Sequence, residues 1–280
     1  MSRPIPLDAG AATPTPRPRS PRLVACDLDG TLLRPDHTLS GRARTAVDRL
    51  GARGVPFVVV TGRAIGSWLP TARRLGLTGP AVCANGAMVV DGHGGVLAHR
   101  PISPAVLSAV LIRLRQAVPD AVAAVERGAE LLHEPGFPRA VGALARPTRM
   151  VAAHDLVTHP VSKLLVRSVR EPDATWRAVV AEAMGPRLSG VDSGVPDLVE
   201  AVAAGVSKAT GLSWLAVRLG VGQTDVLAFG DMPNDVPMLQ WAGQGVAVAD
   251  GHRAALAAAD ALTGPCAEDG VAAYLERVLP

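Results

Sequence analysis

The stretch "VACDLDGTLL", residues 24–33, joins a short apolar run to two acidic residues and a glycine. The apolar run predicts a buried β-strand over residues 22–27, and Asp27 and Asp29 stand at its carboxyl end. Carboxylates this close repel each other, and two interpretations stay open from these residues alone. Either the acids form a turn that only stops the strand, or they hold a cation and perform chemistry.

The segments around this strand alternate between strand-like and helix-like patterns. A continuous apolar run within residues 55–63 predicts a second strand, buried on both faces, and "PAVCANG" (80–86) predicts a third strand. The alternation returns after about residue 191, with the strand-like runs "DLVEAV", "DVLAFGD" and "GVAVAD" separated by helical spacing. This pattern predicts the α/β fold class, with a doubly wound, mainly parallel Rossmann-like core.

Residues 87–190 have a different character. The stretch "MVVDGHGGVLAHRPI" predicts a hairpin, and Ser103 followed by Pro104 has the preferences of a helix start. Two strand-like runs and a second helix over residues 172–184 follow, which together predict an inserted α+β cap domain. The expected division is a core domain of residues 22–86 and 191–280 and a cap domain of residues 87–190.

The composition narrows the class of protein. The 280-residue chain is 48% hydrophobic and 19% charged, as soluble globular proteins are. No apolar run approaches the roughly 20 residues that cross a bilayer, so no membrane contact is expected. A formal net charge of +3, scattered arginines and 3% aromatic residues argue against binding to nucleic acid. Residues 1–21, rich in Pro, Ala and Arg, predict a disordered tail.

Cysteine usage gives an expectation for the compartment. The three cysteines are far apart and form no CxxC pair. This distribution predicts no disulfide framework, a reducing environment and hence a cytoplasmic location. We expect a monomer or a homodimer.

Polar residues gather where the predicted core strands end. Ligands of open α/β sheets bind outside the carboxyl ends of the strands, so these residues are the candidates for a site. Carboxylates this dense cannot all ionise without a cation, and oxygen ligands favour Mg²⁺. The candidates are Asp27, Asp29, Gly30 and Thr31 after the first strand, Thr61, Gly62 and Arg63 after the second, Asn85 after the third, and Asp231, Asn234 and Asp235 after "VLAFG".

Lys208 stands at the predicted start of a helix nearby. It is one of only two lysines, with Lys163, among 28 basic residues. A chain that uses arginine almost throughout is expected to keep lysine where a compact point charge is needed. The alternative is a surface lysine at a helix start.

Four of these features together resemble a known family. "DLDGTLL", "VVVTGR", Lys208 and "GDMPND" resemble, in order and spacing, the four motifs of the haloacid dehalogenase-like hydrolases. The long insert after the third strand, "CANGA" and the GDxxND form resemble the Cof-type phosphatase branch, whose cap is α/β. The resemblance covers about residues 22–280.

The resemblance implies a role for each matching residue. Asp27 is the expected nucleophile, and Asp29 the general acid and base, with the higher pKa of the two. Their i, i+2 spacing aims both side chains to one side of an extended segment. The expected Mg²⁺ ligands are Asp27, the backbone carbonyl of Asp29, and Asp231.

The remaining residues are expected to bind the substrate or to support the residues that do. Thr61, Gly62, Lys208 and Asn234 are expected to contact the phosphoryl group. Arg63 contacts substrate or has a structural role near the cap. Thr31 is a turn residue or supports Asp27, and Asp235 orients Lys208 or a water molecule.

The expected function is Mg²⁺-dependent hydrolysis of phosphate monoesters of small metabolites, such as sugar phosphates or nucleotide cofactors, through an aspartyl-phosphate. The insert is expected to close over the site and select the leaving group. Two alternatives stay open: a phosphosugar mutase, which returns the phosphoryl group to the sugar, and a non-catalytic regulator that binds phosphate ligands.

Overall fold

A computed structural model describes residues 20–137, 147–170, 175–192, 195 and 197–279. The expected disordered tail, residues 1–21, lies outside the described residues except for its last two positions. The strands, in chain order, are β1 (Leu23–Cys26), β2 (Phe57–Val60), β3 (Ala81–Cys83), β4 (Met88–Val90), β5 (Val96–His99), β6 (Ala121–Arg127), β7 (Glu130–His133), β8 (Thr148–Met150), β9 (Lys163–Ser168), β10 (Leu188–Val191), β11 (Leu198–Ala203), β12 (Val226–Gly230), β13 (Gln244–Val248) and β14 (Ala261–Thr263).

Helices connect most of these strands. Among the described residues, none of them is both long and apolar enough to cross a membrane. The α-helices are α1 (Gly41–Ala52), α2 (Ile65–Leu75), α3 (Pro104–Ala117), α4 (Trp176–Met184), α5 (Lys208–Arg218), α6 (Val236–Trp241), α7 (Arg253–Ala258) and α8 (Gly270–Val278).

The larger sheet has eight strands in the order β14-β13-β12-β1-β2-β3-β4-β5. Its first six members are parallel, and β4 and β5 extend it in antiparallel fashion. Successive residues of β1 alternate between two apolar clusters, one filled by α1, α2 and α8 and the other by α5 and α6. Because helices cover both faces, the prediction of a doubly wound core is confirmed.

The second sheet has six strands in the order β10-β11-β9-β6-β7-β8. All neighbours are antiparallel except β7 and β8. Helices α3 and α4 pack on one face, around residues such as Leu107, Val110 and Val180. This layer is the α+β cap domain that the sequence predicted as an insert.

The chain crosses between the core sheet and the cap sheet at residues other than those expected. Met88–His99, expected in the cap, forms β4 and β5 at the edge of the core sheet. Leu198–Ala203, which contains most of "DLVEAV" and was expected in the core, pairs with β9 and β10 of the cap sheet. A short apolar run predicts a strand but not its partner, which explains both errors. We propose that the cap spans the residues between crossings near 100–102 and 204–206.

Candidate active site

Four loops at the carboxyl ends of β1, β2, β3 and β12 meet the start of α5. The position of Lys208 follows from a capping box at this helix start. The Ser207 hydroxyl accepts the N–H of Thr210, and the Thr210 hydroxyl accepts the N–H of Ser207. These reciprocal bonds fix the first turn, and Lys208 is the first residue of that turn.

Lys208 is the centre of a buried ionic cluster. Its Nζ donates to Asp27 Oδ1 at 2.6 Å and to Asp235 Oδ1 at 2.6 Å. The three residues are at most 5% exposed. Burial alone would lower the pKa of Lys208, but Asp235 and Asp27 outweigh it and raise that pKa above its ordinary value. The ammonium therefore stays charged at neutral pH.

Both carboxylate oxygens of Asp235 have partners within the protein. Oδ2 accepts the backbone N–H of Asp231 at 3.2 Å and of Met232 at 3.0 Å, while Oδ1 accepts from Lys208. Asp235 thus fixes the turn after β12 and holds Lys208 from the side opposite Asp27. This contact is the one expected if Asp235 orients Lys208.

Asp231 is held by the loop that follows β1. The Thr31 hydroxyl donates to Asp231 Oδ1 at 2.6 Å, and Thr31 is 2% exposed. Thr31 thus contacts Asp231 instead of supporting Asp27. Gly30 has a φ of +84°, and a Cβ at this position would lie 2.5 Å from Asp231 Oδ2. Only glycine combines this backbone conformation with this close approach.

The geometry fits a hard divalent cation. Carboxylate oxygens of Asp27, Asp231 and Asp235 all lie within 4.8 Å of one another. The hydrogen bonds described above occupy both oxygens of Asp235, but only one oxygen each of Asp27 and Asp231. The second oxygens of Asp27 and Asp231 are therefore the side-chain atoms suited to Mg²⁺, which prefers oxygen ligands.

The buried carboxylates of Asp27 and Asp231 need a nearby positive charge to stay ionised. Burial raises the pKa of Asp27 well above its ordinary value, Lys208 opposes this shift, and Asp235 and Asp231 add to it. Burial likewise raises the pKa of Asp231 to about 6, against the hydrogen bond from Thr31. A cation between these carboxylates would favour the ionised form of both, which a nucleophilic Asp27 requires.

Asp29 lies outside the carboxylate cluster. β1 ends at Cys26, Leu28 and Gly30 lie in turns, and Asp29 forms an isolated bridge with Leu33, so residues 27–29 do not continue the strand. The shared direction of Asp27 and Asp29, expected from their i, i+2 spacing, stays a prediction. The Asp29 carboxylate accepts from the Arg63 guanidinium, with Nε to Oδ2 at 2.7 Å, and lies 3.3 Å from His37 Nδ1. Its side chain is 37% exposed, which leaves one side open to a ligand.

The guanidinium of Arg63 is occupied by contacts within the protein. Besides Asp29, it donates from Nη1 to the Thr71 hydroxyl at 2.7 Å, and the residue is 5% exposed. Of the two roles expected from the sequence, this geometry matches the structural one. The guanidinium ties Asp29 to the first turns of α2.

The loop after β2 carries Thr61 and Gly62. Thr61 is 1% exposed, and its hydroxyl oxygen accepts the backbone N–H of Arg63 at 3.1 Å. Asn234, expected to contact the phosphoryl group, donates from Nδ2 to Asn85 Oδ1 at 3.0 Å. Within the described residues, the buried Asn234 Oδ1 has no hydrogen-bond partner.

Sequence reasoning missed several polar residues around these loops. His37 is half-exposed in a turn with a φ of 59°, and no spacing signal connects it with Asp29. Glu126 and Glu200 lie on cap strands and reach the core through Lys163. The low lysine count was the one signal that pointed to this group.

Comparisons with known proteins agree with the site. A family model described as haloacid dehalogenase-like hydrolase matches residues 24–275. A solved structure of a haloacid dehalogenase-like hydrolase from Bacteroides thetaiotaomicron is 27% identical, with a TM-score of 0.78, and covers 92% of this chain and 99% of its own.

Two curated relatives are phosphatases. The 5-amino-6-(5-phospho-D-ribitylamino)uracil phosphatase YitU of Bacillus subtilis is 30% identical over 269 residues, 92% of this chain and 97% of that protein. The pyridoxal phosphate phosphatase YbhA of Escherichia coli is 26% identical over 274 residues, 91% and 97% of the two chains.

The fold, the capped site and these matches define a phosphoric monoester hydrolase, as the sequence predicted. The chain belongs to the haloacid dehalogenase-like hydrolases. The resemblance to their Cof-type branch is confirmed.

Proposed function

We propose that this chain hydrolyses phosphate monoesters of small metabolites, with Mg²⁺ as cofactor and Asp27 as nucleophile. The observation that carries the proposal is the buried Asp27 held by Lys208, next to Asp231, at the carboxyl end of the central strand. The named substrates of the two relatives, pyridoxal phosphate and a phosphoribitylaminouracil, support monoesters of about this size. Sugar phosphates and nucleotide cofactors remain in the proposed substrate class.

In the first step, an Asp27 oxygen attacks phosphorus in line, and the bond from phosphorus to the ester oxygen breaks. Asp29 gives its proton to the departing alcohol. Lys208 fixes the Asp27 carboxylate and places a positive charge beside the transferring group, and Thr61 and the backbone at Gly62 donate hydrogen bonds. The product of this step is an aspartyl-phosphate.

In the second step, water attacks phosphorus of the aspartyl-phosphate, and Asp29 accepts the proton of that water. The acyl–phosphate bond breaks, inorganic phosphate leaves, and the Asp27 carboxylate is restored. The exposure of Asp29 supports this role, because its side chain is positioned by Arg63 and His37 and is still 37% exposed, within reach of a leaving group or a water molecule.

Asp27 and Asp231 would hold the Mg²⁺, with the backbone carbonyl of Asp29 as the expected third ligand. When bound, the cation supplies charge for the phosphoryl oxygens and keeps the carboxylates ionised. The cap excludes bulk water and contacts the leaving group. We further propose a cytoplasmic location, which the three free, buried cysteines support, and a monomer or a homodimer with no nucleic-acid partner.

The test is phosphate release from a panel of monoesters that includes the two named substrates, sugar phosphates and nucleotides. We expect release with Mg²⁺, none with EDTA, and a loss of at least about 10³-fold in Asp27→Asn. Asp225→Asn is the matched control, since Asp225 lies at the opposite end of β12 and pairs with the exposed Arg22 at 3.6 Å. Circular dichroism checks that both variants fold.

Three results would contradict the proposal. Full activity in Asp27→Asn would show that Asp27 is not the nucleophile. Full activity in EDTA would show that no divalent cation is required. An isomeric sugar phosphate as product, with no inorganic phosphate, identifies a mutase instead.

A further inference from the structure

Lys163 belongs to the cap but bonds to the core. It is the first residue of β9 and is 2% exposed. Its Nζ donates to the backbone carbonyl of Gly62 at 2.7 Å, in the loop that carries Thr61. The same ammonium lies 3.3 Å from Glu200 and 3.6 Å from Glu126, both on neighbouring cap strands.

A second branch of this network reaches the loop after β12. Glu200 Oε2 accepts from Asn85 Nδ2 at 3.4 Å, and Asn85 Oδ1 accepts from Asn234 Nδ2 at 3.0 Å. The cap cluster is therefore connected to Gly62 directly and to Asn234 through Asn85. Both endpoints are residues expected to bind the phosphoryl group.

The cap is also closely packed on the helix that follows the Gly62 loop. A Cβ at Gly66, in the first turn of α2, would lie 1.9 Å from the backbone oxygen of Ala129 in the β6–β7 turn. Contacts at Gly62 and Gly66 hold one short segment against the cap from two positions. We therefore expect a change in the cap at either position to displace the Thr61–Gly62 loop.

We propose that Lys163 is a positioning residue that aligns the Thr61–Gly62 loop, and through Glu200 and Asn85 the Asn234 amide, for phosphoryl transfer. This inference rests on the proposed function. The Lys163 ammonium is held by the Gly62 carbonyl and by Glu200 and Glu126, so it acts through these contacts and not as a ligand of the substrate. If Lys163 served only the ion pairs of the cap, it would not need a hydrogen bond to the core. Its hydrogen bond to the Gly62 carbonyl is nevertheless shorter than its two hydrogen bonds to Glu200.

The kinetic test compares Lys163→Met with Arg167→Met. Arg167 lies on the same strand and pairs with Asp197 of the cap at 2.6 Å, so its loss removes a cap ion pair without a core contact. Misplacing a catalytic loop by about 1 Å costs up to about 10²-fold, so we expect kcat to fall about 10- to 100-fold in Lys163→Met. KM should change less than about threefold, because the interaction acts on the transition state, and Arg167→Met should retain kcat.

A second variant, Lys163→Arg, keeps the positive charge but changes the position of the hydrogen-bond donor. It also provides a test if Lys163→Met does not fold. Arginine keeps the ion pairs with the two glutamates but cannot place a single compact donor on the Gly62 oxygen. We expect a folded protein with a kcat that stays well below that of the wild type. Full recovery of kcat in Lys163→Arg would overturn the proposal.

Amide hydrogen exchange reports position without turnover. We expect faster exchange in a peptide that covers Thr61–Arg63 in the Lys163 variants. Exchange in Pro104–Ala117 of the cap should not change in these variants, and exchange in Thr61–Arg63 should not change in Arg167→Met. Unchanged exchange in Thr61–Arg63 together with an unchanged kcat would overturn the positioning role and leave the proposed function intact. If the wild type released no phosphate, the proposed function would fail, and the exchange data would still decide whether Lys163 fixes the loop.

Discussion

Replacing Thr31 by valine should destabilise the protein in a pH-dependent way. The Thr31 hydroxyl is buried and donates to Asp231 Oδ1 at 2.6 Å, while valine keeps nearly the same shape and removes the donor. Burial raises the pKa of Asp231 from 3.8 to about 6, and the Thr31 hydrogen bond limits that rise. Thr31→Val should therefore raise the pKa of Asp231 further.

The sign follows from proton binding. Folding raises the pKa of Asp231, so between about pH 4 and 6 the native state binds more protons than the unfolded chain. The contribution of Asp231 to the free energy of unfolding is then largest below about pH 4 and declines as pH rises through about 6. In Thr31→Val this decline continues to higher pH, so the substitution costs more at pH 8 than at pH 5.

The magnitude follows from the charge of the acceptor. At pH 8 Asp231 is ionised, and losing a hydrogen bond to a charged group costs about 1.5–3 kcal/mol. At pH 5 it is largely protonated, and losing a neutral hydrogen bond costs about 0.5–1.5 kcal/mol. We therefore expect a difference of about 1 kcal/mol between the two pH values.

Urea unfolding in EDTA, followed by circular dichroism at pH 5 and pH 8, measures this difference. The matched control is Thr45→Val, because the exposed Thr45 hydroxyl donates to the Gly41 carbonyl of its own helix and no carboxylate is involved. Its cost should be small and equal at both pH values. An equal cost of Thr31→Val at pH 5 and pH 8 would refute the conclusion that this hydroxyl stabilises an ionised Asp231.

Three further predictions concern the same cluster. Lys208→Met should lower the free energy of unfolding at pH 7 by about 3–5 kcal/mol in urea titrations, because two buried carboxylates lose their cation; an unchanged midpoint would contradict the ionic cluster. Gly30→Ala and Gly54→Ala both place a side chain at a positive φ, but only at Gly30 does the Cβ press on Asp231, so only Gly30→Ala should reduce thermal stabilisation by Mg²⁺. In the wild type, Mg²⁺ affinity measured by thermal shift should fall by at least about tenfold per pH unit below about pH 6, where a proton competes for Asp231 and the raised pKa of Asp27 adds to the effect; a constant affinity from pH 5 to 7 would contradict Asp231 as a ligand.

The sequence predicted the features that depend on order along the chain. Buried apolar runs located β1, β2 and β12, and residues that follow parallel strands must meet at one edge of the sheet. This reasoning brought Asp27 and Asp231 together although 200 or more residues separate them. Lys208 was predicted less directly, from its place at a helix start and from the low lysine count.

Features that depend on direction or on a choice of partner were not predicted. Whether a strand joins the core sheet or the cap sheet depends on which strand it pairs with. An apolar run such as Met88–Val90 does not specify that neighbouring strand. The chain leaves β1 after Cys26, so the contacts of the Asp29 side chain with Arg63 and His37 are set by the loop and not by a strand period. Thr31 likewise has a hydroxyl suited to several carboxylates, and only the fold selects Asp231.

Lysine usage is the sequence signal that connects the two halves of the site. Both lysines of the chain are 2% exposed, which is unusual for the residue type, and each ammonium lies among oxygen atoms from different segments of the chain. An ammonium can direct its three hydrogens to acceptors around it, whereas a guanidinium directs its hydrogens within one plane. In a chain that otherwise uses arginine for its positive charge, lysine is retained at the two positions where acceptors converge on a point. Substitution by arginine should therefore impair both positions, although it conserves charge, and it should do so at Lys208 through the carboxylates and at Lys163 through the Gly62 loop.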